Sequence, residues 1–136
     1  MSHVTVVGVD PGLAATGVAV ISGFGLKIER YSYGLIKTSP QSRLQDRLNH
    51  IYTKLSSLLE AENPDFMVLE DIFSHEKYPK SGIALGKVTG VILLAGCHSN
   101  IPVMEVSVRE AKQVLTGSGC AGKRQPRSWR RCAAPQ

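Results

Sequence analysis

Acid is missing from the end of this chain: no Asp or Glu follows Glu110 in a sequence of 136 residues. Cysteine is scarce. Cys97, Cys120 and Cys132 are odd in number and far apart, which argues against a disulfide framework and a spaced zinc site. Long apolar runs are lacking too. The longest, near residues 91–95, is far too short to cross a bilayer. His3 and Asp10 interrupt the start, so no cleavable leader is expected, and a cytoplasmic location without a membrane partner is the default. Neither the Walker phosphate loop nor a dinucleotide fingerprint occurs, so no organic cofactor site is expected.

A formal net charge of +5 points toward nucleic acid, but its distribution weakens that inference. Up to residue 122, 11 basic residues meet 11 acids. The whole excess lies in K-R-Q-P-R-S-W-R-R, where five basic residues meet no acid. A DNA surface on the folded body must therefore come from local clustering. The apolar fraction, 43%, is enough to fill the core of a single domain.

The pattern predicts an α/β fold with a mixed five-stranded sheet. Residues 4–9, 17–21 and 30–36 read as three strands joined by turns, a meander. Thr38 or Ser39 is expected to cap a helix with Pro40 at its first position. Leu44, Leu48, Ile51, Leu55 and Leu58 then recur at helical spacing, until Asn63-Pro64 stops the helix. Residues 66–69 read as a fourth strand and residues 71–80 as a polar loop. A second helix is expected over 81–96, with glycines at 82, 86, 90 and 96. Residues 101–106 read as a fifth strand. S-V-R-E over 107–110 fits a capping box opening a third helix that ends near residues 117–119.

Two acids stand where chemistry is expected. Asp10 closes V-T-V-V-G-V-D and Glu70 closes F-M-V-L-E, each at the end of an apolar run. Hard cations such as Mg²⁺ are held by few protein carboxylates, with water or phosphate oxygen completing the shell. The plainer alternatives are a turn-former before Pro11 and a surface acid at a strand end. Against the first, an acid closing a buried strand costs desolvation unless it is paired. Asp71 is expected to face away from Glu70, because successive strand residues alternate faces.

These segments carry a resemblance. G-V-D-P-G-L-A-A-T-G-V-A-V, K-T-S-P leading into R-L-x-x-I, P-D-F-M-V-L-E-D-I-F, A-L-G-K-V-T-G-V-I and E-V-S-V-R-E-A-K-Q-V-L-T-G-S-G-C-A-G-K follow one another over most of residues 4–124. In that order the chain resembles the RuvC-type Holliday-junction resolvases of the ribonuclease H-like superfamily. The resemblance implies a homodimeric endonuclease that makes paired symmetric nicks in four-way DNA junctions during recombination and repair. It implies two Mg²⁺ per active site, with Mn²⁺ able to substitute, and the RuvA-RuvB branch-migration complex as partner. Asp10 and Glu70 match the family's metal-binding and catalytic acids. Phe73 matches an aromatic near the cleavage centre, and Lys112 and Lys123 match residues near DNA phosphates. The glycine-rich second helix matches the family's dimer helix.

The end of the chain departs from the family. The family continues into a further helix and then an acidic one that supplies the remaining metal ligands. Here Pro126 and a tail without apolar periodicity follow instead. The expectation is an incomplete resolvase domain over 1–123, lacking its C-terminal helices, and a basic, disordered tail over 124–136. A truncated or frame-shifted product fits that shift. So does a shortened protein with a DNA-binding tail, in which Trp129 could stack on a base. The leading alternative to an active resolvase is a weak or inactive junction-binding module. A second rival, an actin-like ATPase or sugar-kinase fragment, would require a second nucleotide-binding lobe and its own phosphate loop, neither of which fits this length.

Overall fold

The computed structural model describes residues 2–71, 79–107 and 110. Seven elements follow in order: β1 (His3–Asp10), β2 (Ala15–Phe24), β3 (Lys27–Lys37), α1 (Leu44–Glu62), β4 (Phe66–Asp71), α2 (Pro79–His98) and β5 (Val103–Ser107). They build the mixed five-stranded sheet of the ribonuclease H-like fold, in the order β3-β2-β1-β4-β5. The first three strands form the antiparallel meander read from the sequence. β4 then joins β1 in parallel, and β5 joins β4 in parallel. The helices supply the crossovers that parallel neighbours need.

Alternation along the strands decides where the core lies. Val7 and Val9 on β1, Val18 and Val20 on β2, and Met67 and Leu69 on β4 share one face. All six are buried against Ile51, Leu55 and Leu59 of α1 and Val88, Ile92 and Ala95 of α2. Both described helices lie on this face. The opposite face carries Tyr33 at 78% exposure, Leu35 at 61% and Met104 at 53%.

The helix ends differ from the sequence expectation. α1 starts at Leu44 with Arg43 as its N-cap residue, not at Pro40 behind a Thr38 or Ser39 cap. Residues 39–42 form a turn closed by the Ser42 N–H on the Ser39 carbonyl at 3.1 Å. The Thr38 hydroxyl is committed elsewhere: its oxygen accepts from Arg47 Nε and its proton goes to the carbonyl of Leu13. The buried stripe ends on Leu59, while Leu58 is only half-buried. Asn63 stops the helix as expected. It takes the left-handed conformation, φ 42°, and its N–H returns to the Leu59 carbonyl at 2.9 Å.

α2 holds its glycines against their propensity. Each costs about 1 kcal/mol relative to alanine. Fully burying a side chain such as Val88 or Ile92 returns about 1.5–3 kcal/mol, so packing on the sheet offsets the cost. Gly96 is the tightest point. A Cβ there would lie 2.7 Å from Val103 Cγ2 and 3.0 Å from Met67 Cε. Nothing lies within 4 Å of a Cβ built at Gly82 or Gly90.

Candidate functional site

The C-terminal rim of β1 and β4 brings the two acids alongside. Val9 pairs with Leu69 in parallel register, and Asp10 and Glu70 are the next residues on the two strands. Neighbouring strands lie about 4.8 Å apart. Asp10 also stands opposite Gly17, Gly17 opposite Leu35, and Glu70 opposite Val106. Leu35, Gly17 and Asp10 thus form one row across β3, β2 and β1, and Glu70 and Val106 another across β4 and β5, the β1–β4 pairing running as far as Val9 and Leu69. Val9 and Leu69 point into the core, so Asp10 and Glu70 point to the other face. A side chain at Gly17 would touch Asp10 Cβ at 3.5 Å, and glycine leaves that flank open. Asp10 is exposed and Glu70 half-buried. Asp71 pairs with Ser107, one step along, and faces away from Glu70 as alternation requires.

The loop after Asp10 is held by hydroxyls. Gly12 is required there, since a Cβ would run into the Ala15 carbonyl oxygen at 2.2 Å. The buried Thr16 hydroxyl donates to the Gly12 carbonyl at 2.7 Å and lies 3.4 Å from the Gly12 N–H. From the β3–α1 junction, the Thr38 hydroxyl donates to the Leu13 carbonyl, and the Thr38 N–H donates to the Ala14 carbonyl at 3.0 Å. Arg47 Nε donates to Thr38 Oγ1 at 2.8 Å. The sequence shows the K-T-S-P and R-L-x-x-I segments, but there Thr38 or Ser39 reads as a helix cap and Arg47 has no role. Only the pairing of Ala15 with Lys37, which brings the two loops together, reveals the contact.

Beyond β5 the capping box is formed. The Ser107 N–H and hydroxyl donate to Glu110 Oε2 at 2.9 and 3.0 Å, and the Glu110 N–H returns to Ser107 Oγ at 3.1 Å. The backbone bond from Ser107, followed by its hydroxyl bond, holds the Glu110 carboxyl below its usual range. Phe73, Lys112 and Lys123 lie outside the described residues, as do most of the 71–80 loop, the rest of the third helix and the 124–136 tail.

The donor chemistry of Asp10 and Glu70 fits a hard divalent cation: two carboxylates on one open rim leave room for water and phosphate oxygens. Among the described residues no group of three His, Cys, Asp or Glu side chains is placed to hold a metal ion. Among them, too, no helix is long and apolar enough to cross a membrane.

A ribonuclease H-like sheet with an acid at the end of each of two adjacent parallel strands defines the class of protein; comparison with known proteins names the family. Residues 6–129 match the family Crossover junction endodeoxyribonuclease RuvC. The protein of that name from Desulforamulus reducens is 37% identical over 120 residues, covering 88% of this chain and 73% of its own length. The one from Rhodopirellula baltica is 38% identical over 120 residues, covering 88% and 67%. Among solved structures, Thermus thermophilus RuvC superimposes with a TM-score of 0.82 at 26% identity, covering 97% of this chain and 84% of that one. T. thermophilus RuvC in complex with Holliday junction substrate gives 0.81 at 28% identity, covering 88% and 73%. The chain belongs to the RuvC family and is by family a structure-selective endodeoxyribonuclease.

Proposed function

We propose that this chain binds four-way junction DNA and carries an Asp10–Glu70 site for Mg²⁺ whose cleavage activity is weak or absent. The observation that supports this is the parallel pairing of Val9 with Leu69, which makes Asp10 and Glu70 the next residues on adjacent strands of a RuvC-family sheet. The limited activity is supported by the donor set. Among the described residues no third His, Cys, Asp or Glu joins the two acids in a cluster that could hold a metal ion. A T. thermophilus relative is described in complex with Holliday junction substrate, which supports the choice of DNA.

Asp10 and Glu70 would hold the metal. A bound Mg²⁺ supplies Lewis-acid stabilisation of phosphoryl oxygens and a lowered pKa for water, and a second ion would extend this to the leaving oxygen. The chain's own residues do the rest. By the family resemblance Lys112 and Lys123 would set the register of the phosphate backbone, and Phe73 would act near the cleavage centre. The open surface around Gly90 supports self-association through α2, since nothing lies within 4 Å of a Cβ built there. A two-fold dimer presents the same rim twice, which suits two strands of like polarity. Partnership with the RuvA-RuvB complex and a cytoplasmic location complete the proposal.

The test is a synthetic four-way junction with and without Mg²⁺. The expected result is binding tighter than to linear duplex of the same sequence, with slow nicking that D10N abolishes. Rapid, symmetric Mg²⁺-dependent cleavage would show the ligand set to be complete. Equal affinity for junction and duplex would remove junction recognition.

A further inference from the structure

We infer that Thr38 and Arg47 are positioning residues for the Asp10–Glu70 site, acting through the backbone of residues 12–14. The inference rests on the reading of that pair as a cation site and adds two residues that do not touch the cation. The atoms fix the direction of the chain of bonds. A guanidinium has donors only and stays charged, so Arg47 Nε donates to Thr38 Oγ1 at 2.8 Å. The hydroxyl proton is then free for the Leu13 carbonyl, which it reaches. A charged donor behind the hydroxyl polarises it and strengthens that second bond. The Thr38 N–H takes the Ala14 carbonyl at 3.0 Å, and Thr16 takes the Gly12 carbonyl at 2.7 Å.

Three successive carbonyls of the loop are thus held by Thr16 of β2 and by Thr38, the residue after β3, which Arg47 of α1 backs in turn. The outer anchor is rigid. Arg47 lies in the first turn of α1, its own N–H bonded to the Arg43 carbonyl at 3.0 Å, and Ile51 one turn on is fully buried in the core. The inner end is Asp10, two residues before Gly12 and exposed. An exposed carboxylate at a strand end has little packing of its own to fix it. The clamp on the following loop supplies that constraint, and cation affinity is sensitive to it because ligand placement sets affinity.

A brace that only stabilised the fold would lower the melting temperature and leave cation affinity alone. The experiment measures Mn²⁺ binding to the full chain by calorimetry, with thermal melts and amide hydrogen exchange over residues 12–15. The variants are T38V, T38S, R47M and D10N. T38V and R47M are expected to weaken Mn²⁺ binding roughly three- to ten-fold, the scale of one lost polar contact, and to speed exchange in the loop. T38S keeps the hydroxyl and is expected to stay within about two-fold of the parent. If T38V proves unstable, R47M carries the same test, because it removes the charged donor behind Thr38 without changing a residue that touches the loop. The inference is overturned if D10N weakens Mn²⁺ binding while T38V and R47M do not, or if T38S loses as much as T38V. An unchanged affinity in D10N would instead remove the cation site itself.

Discussion

Gly96 is pressed against Met67: a methyl group in place of its hydrogen would meet Met67 Cε at 3.0 Å and Val103 Cγ2 at 2.7 Å. Gly90, less than two turns earlier on α2, faces open space. The two glycines therefore serve different ends, although the sequence shows only one run of small residues.

That difference is measurable in denaturant. G96A is expected to destabilise the fold by about 1–3 kcal/mol, because α2 must move off β4 and β5. G90A is expected to be neutral or stabilising by up to about 1 kcal/mol through helix propensity. G90L separates folding from association. It should leave the denaturation midpoint near that of the parent and yield a monomer in analytical ultracentrifugation. A dimer in G90L places the self-association surface elsewhere.

Leu55 reports on the core. It is fully buried between the sheet and α2. L55A is expected to cost about 2–5 kcal/mol in urea unfolding, and L55M less than about 1.5 kcal/mol.

The Ser107–Glu110 box has a pH signature with a definite sign. The folded state holds the Glu110 carboxyl below its ordinary value of 4.5. Its contribution is therefore fully present above that value and is lost as pH falls through the lower, folded value. The stability difference between the parent and E110A should be constant from neutral pH down to the ordinary carboxylate range. It should then narrow in more acidic solution. A difference that grows toward acid would contradict the capping role.

Affinity and chemistry should come apart. Junction binding rests on phosphate contacts, so with about six of them it should weaken about 10³-fold between 50 and 200 mM salt. K112A should reduce the slope of log affinity against log salt by about one. D10N should keep the slope and most of the affinity while abolishing nicking. Loss of junction binding in well-folded D10N would place Asp10 in assembly.

Much of this architecture is legible from local pattern. The apolar runs ending at Asp10 and Glu70 mark the strands, and Asn63-Pro64 marks the end of α1. The capping box is legible because its two members are three residues apart and need no other partner. The start of α1 is not legible. Thr38-Ser39-Pro40 is a strong local cap signal, but a capping oxygen accepts from helix N–H groups, and here Thr38 Oγ1 accepts from Arg47 Nε while its own proton goes to a carbonyl 25 residues away. Arg47 is hidden for the same reason: on a helix pattern it reads as a solvated cation. Strand order is also set by non-local pairing. That β4 inserts beside β1 decides which acids are neighbours, and no spacing in the chain states it.

The parallel pairing of β1 and β4 has a consequence for folding fidelity. Side chains alternate along a strand, so a slip of β4 by one residue would turn Met67 and Leu69 outward and drive Glu70 into the oily interior. A misregistered chain thus loses its burial and its rim in the same step. The hydrophobic contacts of Val7, Val9, Met67 and Leu69 act as a proofreading device for the carboxylates one residue beyond them. Core substitutions that loosen this register should degrade the rim before they unfold the protein.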